Sequence, residues 1–158
     1  MDVAVKTSVS VCQEPFDLAA ELRTLTAGRT DIGAVASFVG LVRDLGHGAA
    51  QPLLSMTLEH YPGMTEAALA EIVAEAGRRW SLLGVRVIHR YGTLVPGEPI
   101  VLVLVAGAHR GEAFAACEFI MDYLKTRAPF WKKEATAAGG SWVDARDADD
   151  AAASRWSS

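Results

Sequence analysis

Leu54-Ser55-Met56-Thr57-Leu58-Glu59-His60-Tyr61-Pro62-Gly63-Met64-Thr65 is the stretch on which the architecture turns. Leu54, Met56, Leu58 and His60 alternate with Ser55, Thr57 and Glu59, the period-two pattern of a strand with one face on a core. Pro62-Gly63 then breaks the strand. From about Thr65 to Trp80 the period lengthens, and Leu69, Ile72, Val73, Ala76 and Trp80 fall on one stripe of a helix. A half-buried strand running through a tight turn into an amphipathic helix predicts a fold that mixes sheet and helix.

Upstream, Val3, Val5, Val9 and Val11 suggest an edge strand, interrupted near Thr7 and broken by Pro15. Asp17 can cap a short helix, Leu18 to Leu25, which Gly28 ends. Ile32 to Val42 reads as a strand, and the glycine-containing Asp44 to Pro52 as a mobile loop. Downstream, Val85 to Tyr91 is a strand and Pro96-Gly97 a turn. Ile100 to Val105 is a continuous apolar strand expected to be buried on both faces. A second helix runs from about Glu112 to Lys125 and must stop near Arg127, because Pro129 follows. Phe130 to Thr136 and Ser141 to Asp144 flank Gly139-Gly140 and suggest a hairpin. The Ala- and Asp-rich tail after about residue 145 is expected to be loosely held. Strands and two main helices alternate irregularly, so the fold class is α+β with a mixed or antiparallel sheet.

With 158 residues and no internal repeat or linker, one domain is expected. Apolar residues are 51% and charged residues 22%, the balance of a soluble globular chain. A net charge of −4 argues against a protein that coats nucleic acid. Cys12 and Cys117 are far apart and belong to no CxxC pair, which disfavours a disulfide scaffold or zinc site. Cys117 lies among apolar helix residues and reads as a small buried hydrophobe. The N-terminus lacks the pattern of a signal peptide, and Ile100 to Ala108 is too short to span a bilayer. A cytoplasmic protein without membrane, metal or cofactor is expected.

The cations are uneven. Lys125, Arg127, Lys132 and Lys133 crowd around the forced break at Pro129. A helix-to-strand reversal can aim Lys125 and Lys132 into one cleft, where they would bind phosphate or act as base or nucleophile. The charges alone favour a solvated face beside a helix C-terminus, since ion-pair surfaces outnumber sites. His109-Arg110 follows the buried strand and is bracketed by Gly107 and Gly111. Arg110 can hold a phosphate and His109 can exchange a proton, or the pair can simply cap and decorate the helix. Arg43 ends the Ile32 to Val42 strand and is a third anion ligand or a solvated strand end. His60 reads as a satisfied core histidine, and His47 and His89 have no ligand-spaced partner.

Four segments together resemble the large subunit of molybdopterin synthase, the MoaE family. They are Phe38-Val39-Gly40-Leu41-Val42-Arg43-Asp44, Leu58-Glu59-His60-Tyr61-Pro62-Gly63-Met64, Ala108-His109-Arg110, and the long run from Phe119 to Glu134 containing Tyr123-Leu124-Lys125-Thr126-Arg127-Ala128-Pro129-Phe130-Trp131-Lys132-Lys133. The resemblance implies an α/β hammerhead fold and a sulfurtransferase. It implies a homodimer that becomes a heterotetramer with a small ubiquitin-like carrier, whose Gly-Gly terminus bears a thiocarboxylate. Sulfur from that tail would convert cyclic pyranopterin monophosphate to molybdopterin in two rounds. Lys125 and Lys132 match the family's essential lysines. His109, Arg110 and Arg43 match its anion-binding positions, with Lys133 and Glu134 adjoining.

On that basis Lys125 is expected nearest the thiocarboxylate, as acid/base or charge stabiliser. Lys132, with Arg110 and His109, is expected at the pterin phosphate. Leu41 stands where some members carry a basic residue, so one substrate contact is expected to be missing or supplied elsewhere. The chain ends in Ser157-Ser158 rather than Gly-Gly, so it is expected to be the catalytic partner and not the carrier. The N-terminal strand and the Ile100 to Val105 strand are the surfaces expected to pair copies of the chain. A basic pocket that docks a ubiquitin-like tail without turnover, and a Schiff-base lysine enzyme, are the rival readings.

Overall fold

The computed structural model describes residues 5–44, 53–136, 139–143 and 147–157. Strands β1 (Lys6–Cys12), β4 (Leu82–Arg90), β6 (Pro99–Gly107) and β2 (Ala34–Leu41) form one sheet in the order β1-β4-β6-β2. β1 runs parallel to β4, and the other pairings are antiparallel. Strands β5 (Gly92–Leu94), β3 (Leu53–His60), β7 (Phe130–Thr136) and β8 (Gly139–Val143) form a second, antiparallel sheet in the order β5-β3-β7-β8. Helices α1 (Leu18–Thr26), α2 (Met64–Arg79), α3 (Arg110–Arg127) and α4 (Asp147–Ser154) complete the described fold. The fold is α+β with two main helices, as expected, and β7 and β8 pair as the expected hairpin, but Gly139 and Gly140 lie within β8, opposite Thr136 and Ala135, and not in the turn.

β6 carries the architecture. Val101, Val103 and Val105 pack with Leu69, Ile72 and Val73 of α2 and Ala116, Phe119 and Ile120 of α3. Leu102, Leu104 and Ala106 point the other way, onto Leu25 of α1 and Ile88. Strand alternation therefore buries both faces, as the unbroken apolar run requires. A strand between β4 and β2 with both faces covered has no surface to offer another copy, which removes Ile100 to Val105 from the pairing surfaces. The edges of this sheet are β1 and β2.

β1 keeps continuous register with β4 from Lys6 to Cys12, so no interruption occurs at Thr7. The parallel partner supplies backbone hydrogen bonds that a hydrophobicity pattern does not register. Asp17 Oδ1 accepts the Ala20 N–H at 3.1 Å, capping α1 as expected, and Gly28 beyond its end has φ 70°.

The opening stretch folds as strand, turn and helix, with one change of face. Leu53, Met56 and Leu58 are buried with Val42 and Leu94, while Leu54 is 54% exposed. The β3–β7 register shifts between Leu53 and Ser55, and such a bulge turns the intervening side chain outward. At the turn, Gly63 has φ 85°, a conformation that suits glycine. Its N–H donates to Glu66 Oε2 at 2.6 Å, and the buried Thr65 hydroxyl donates to the Tyr61 carbonyl at 2.9 Å. His60 Nδ1 lies 3.1 Å from that same hydroxyl, in keeping with a satisfied core histidine.

The C-terminal segment departs from the loosely held tail that its composition suggests. α4 lies against α3, where Arg155 meets Glu118 and Asp122 at 2.8 and 2.7 Å. The Asp44 to Pro52 loop lies, beyond Asp44, outside the described residues.

Candidate active site

A cavity of about 480 Å³ opens where the end of the first sheet meets the second sheet and the C-terminus of α3. Leu41, Val42 and Arg43 line it from the end of β2, Met56 and Leu58 from β3, and His89 and Ile100 from β4 and β6. Lys125 lines it from α3, Phe130, Trp131, Lys132 and Glu134 from β7, and Asp149 from α4.

The reversal that joins the two lysines follows from Pro129. Proline has no N–H and pushes the residue before it out of the helical region, so Ala128 is extended with φ −78° and ψ 133°. The Ala128 N–H still reaches the Leu124 carbonyl at 3.3 Å, and the Phe130 N–H reaches the Ala128 carbonyl at 2.8 Å. β7 begins at once, and alternation sends Lys132 and Glu134 to the cavity side. Lys133 between them goes to the other face, its Nζ 5.8 Å from the Trp142 ring.

Arg43 is placed by backbone bonds made at Val42. The Val42 N–H donates to the Glu98 carbonyl at 2.9 Å, and the Gly97 N–H donates to the Val42 carbonyl at 2.7 Å. That turn is tied to the sheet by the buried Arg90. Its Nη1 donates to the Pro99 carbonyl at 2.8 Å, and its Nε and Nη2 donate to the Gln13 carbonyl at 3.1 and 3.0 Å.

The cavity thus gathers three cations, Arg43, Lys125 and Lys132, with the carboxylates Glu134 and Asp149 on its wall. Apolar side chains fill the spaces between them, which lowers the local dielectric and strengthens every charge interaction. Such a wall binds an anion and can stabilise charge that develops during a transfer reaction.

His109 and Arg110 do not join this cavity. They line a separate depression with Gly33, Ala34, Ala108 and Gly111, at the N-terminus of α3. A Cβ at Gly33 would collide with the Ala108 carbonyl, so the two backbones are in direct contact there.

Among the wall residues, sequence reasoning does not single out His89, Phe130, Trp131 or Asp149. His89 has no ligand-spaced partner, and the signal available for it is a histidine beside Arg90 at the end of a mostly apolar strand. Phe130 and Trp131 stand out only as part of the segment that carries the resemblance. Asp149, in an Ala/Asp-rich stretch, gives no signal.

The family model described as MoaE protein matches residues 11–127. The molybdopterin synthase catalytic subunit of Ralstonia nicotianae is 60% identical over 149 residues, covering 94% of this chain and 84% of its own. The structure of a molybdopterin biosynthesis MoaE protein from Burkholderia ambifaria superposes with TM-score 0.82 at 54% identity, covering 96% of this chain and 99% of that one. The structure of molybdopterin synthase from Staphylococcus aureus superposes with TM-score 0.78 at 30% identity, covering 85% and 95%.

Proposed function

This chain belongs to the MoaE protein family, and from that membership we infer that it is the catalytic large subunit of a molybdopterin synthase. It acts as a sulfurtransferase in molybdenum-cofactor assembly, converting cyclic pyranopterin monophosphate to molybdopterin. The sulfur comes from the C-terminal thiocarboxylate of a small ubiquitin-like carrier subunit, in two rounds. The reaction takes place in the cytoplasm and uses no resident cofactor.

The observation that carries this reading is the union of Arg43, Lys125 and Lys132 on one cavity wall. The pterin phosphate and the carrier's thiocarboxylate are both anions, and a half-enclosed site needs fixed cations to hold them together. Lys125 stands nearest the thiocarboxylate as acid/base or charge stabiliser, and Lys132 binds the phosphate region of the pterin. Arg43 and Glu134 flank that substrate, and Leu41 leaves one wall of the mouth uncharged. His109 and Arg110 line a separate depression in a single chain. They serve a substrate at Lys132 from a second copy, which the homodimer supplies, with one carrier bound per chain. Lys133 faces Trp142, away from the cavity, and takes no part in holding the pterin.

The test is reconstitution. Purified chain, thiocarboxylated carrier and cyclic pyranopterin monophosphate are combined and molybdopterin is measured. Product that depends on all three components supports the reading, and a folded chain that yields none with active carrier refutes it.

A further inference from the structure

His89 sits in the cavity wall, 5% exposed, where no catalytic assignment reaches it. Its Nδ1 lies 2.8 Å from the Arg90 carbonyl oxygen. A carbonyl only accepts, so Nδ1 carries the hydrogen. Burial pushes the imidazole down to about 4; the bond to Arg90 opposes this, and the charges of Lys125 and His60 add to it. Near neutral pH the ring is therefore uncharged, with no hydrogen on Nε2, and adds no cation beside Lys125.

The face of the ring is equally constrained. It stacks on Phe130 with centroids 3.7 Å apart and planes 20° from parallel. On another side Phe130 meets His60 at 6.1 Å, and His60 in turn meets Tyr91 at 4.5 Å. Phe130 follows Pro129 in the turn between Lys125 and Lys132, so whatever fixes Phe130 also fixes the spacing of the two amines. A phenylalanine at position 89 would stack but leave its rotation unpinned; the hydrogen bond to Arg90 removes that freedom.

We propose that His89 is a positioning residue for Lys125 and Lys132: its imidazole, held at one edge by the Arg90 carbonyl and at one face by Phe130, anchors the turn that sets where the two amines stand. The proposal rests on reading this cavity as the site of sulfur transfer. Displacement of a reacting group by about 1 Å can cost about a hundredfold in rate. The loss should appear in the chemical step and not in carrier binding.

Three variants separate the two anchors. His89→Phe keeps the stack, His89→Asn keeps a planar donor for the Arg90 carbonyl, and His89→Ala loses both. In the His89→Ala enzyme the single-turnover rate at saturating thiocarboxylated carrier should fall roughly ten- to a hundredfold, with the carrier Kd within about threefold of wild type. His89→Phe or His89→Asn should restore much of the rate. Undiminished turnover in His89→Ala overturns the proposal, and so does an equal loss in all three variants, which would mean that the imidazole itself reacts.

A second measurement does not depend on the reaction. Competitive acetylation with trace acetic anhydride, read by mass spectrometry, should change at Lys125 and Lys132 relative to the remote Lys6 in His89→Ala. It should return toward wild type in the Phe and Asn variants. Unchanged labelling in every folded variant refutes the positioning role. If His89→Ala does not fold, the Phe and Asn variants must each show a partial change at the two lysines, and wild-type labelling in both overturns the proposal. If the wild-type chain makes no molybdopterin, the functional reading fails while the labelling still judges His89.

Discussion

Trp156 donates its indole N–H to Asp122 Oδ2 at 2.7 Å, and the same oxygen accepts Arg155 Nη2 at 2.7 Å. The indole also meets Trp80 and Phe119 edge-on, with centroids 5.6 Å away in each case. This contact fastens the end of α4 to α3 one turn before Lys125, and Asp149 of α4 lines the cavity beyond it.

Trp156→Phe keeps most of the apolar contact and loses the bond to a carboxylate, a loss of about 1.5–3 kcal/mol for a charge-assisted bond. Urea denaturation should show a lower midpoint with unchanged slope. A midpoint equal to wild type would mean that the bond from Trp156 to Asp122 adds nothing to the folded state.

Lys125→Ala and Lys125→Arg should both bind carrier within about a decade of wild type, since one lost cation among many contacts costs roughly a kcal/mol or two. Both should lose about two to four decades in the single-turnover rate, because arginine keeps the charge but gives up no proton. Near-normal turnover by Lys125→Arg would reduce Lys125 to an electrostatic anchor. Failure of both variants to bind carrier would move it to docking and leave Lys132 as the candidate for the chemistry.

Neither thiol is suited to carry sulfur. Burial pushes Cys117 up to about 11, and burial followed by the neighbouring Glu14 raises Cys12, so thiolate is scarce at neutral pH. The Cys12→Ala, Cys117→Ala protein should still form molybdopterin from thiocarboxylated carrier. Complete loss of product with the fold intact would refute this.

His89 makes stability depend on pH in one direction. Its folded value of about 4 lies below the ordinary 6.5, so between those values the unfolded chain binds a proton that the folded chain does not. Above pH 6.5 the effect is absent. As pH falls from 6.5 to 4 stability should drop by up to ~3 kcal/mol, then level off for this group. Denaturation of wild type and His89→Phe at about pH 7, 5.5 and 4.5 isolates the contribution, and equal pH slopes for the two proteins would contradict it.

Light scattering should show a homodimer for the chain alone and a heterotetramer with carrier. The edges that the first sheet offers for pairing are β1 and β2, and on β2 Phe38 and Leu41 are 40% and 54% exposed. A strict monomer with and without carrier would count against the assembly, and with it against His109 and Arg110 as contributors to the pterin site.

Local order is legible in the sequence by itself. The change from period two to period 3.6 at Pro62-Gly63, the cap at Asp17, the forced stop at Pro129 and the two-faced burial of β6 all depend on residues a few positions apart. Backbone geometry dictates their meaning wherever they occur. The break in the chain between Lys125 and Lys132 is legible for the same reason, because Pro129 stops the helix, but that both amines line one cavity is not.

Tertiary structure decided everything that depends on distant partners. The order β1-β4-β6-β2, the bulge that exposes Leu54, the strand β5 and the docking of α4 each need contacts from elsewhere in the chain. The cavity is the clearest case, since its wall draws on seven strands and helices separated by as many as 108 positions, from Leu41 to Asp149. Lys133 adjoins Lys132 in the chain but faces Trp142, because alternation reverses direction at every residue of a strand. His89 has only its place beside Arg90 to mark it in sequence, and packing against Phe130, 41 positions away, is what sets it in the cavity wall.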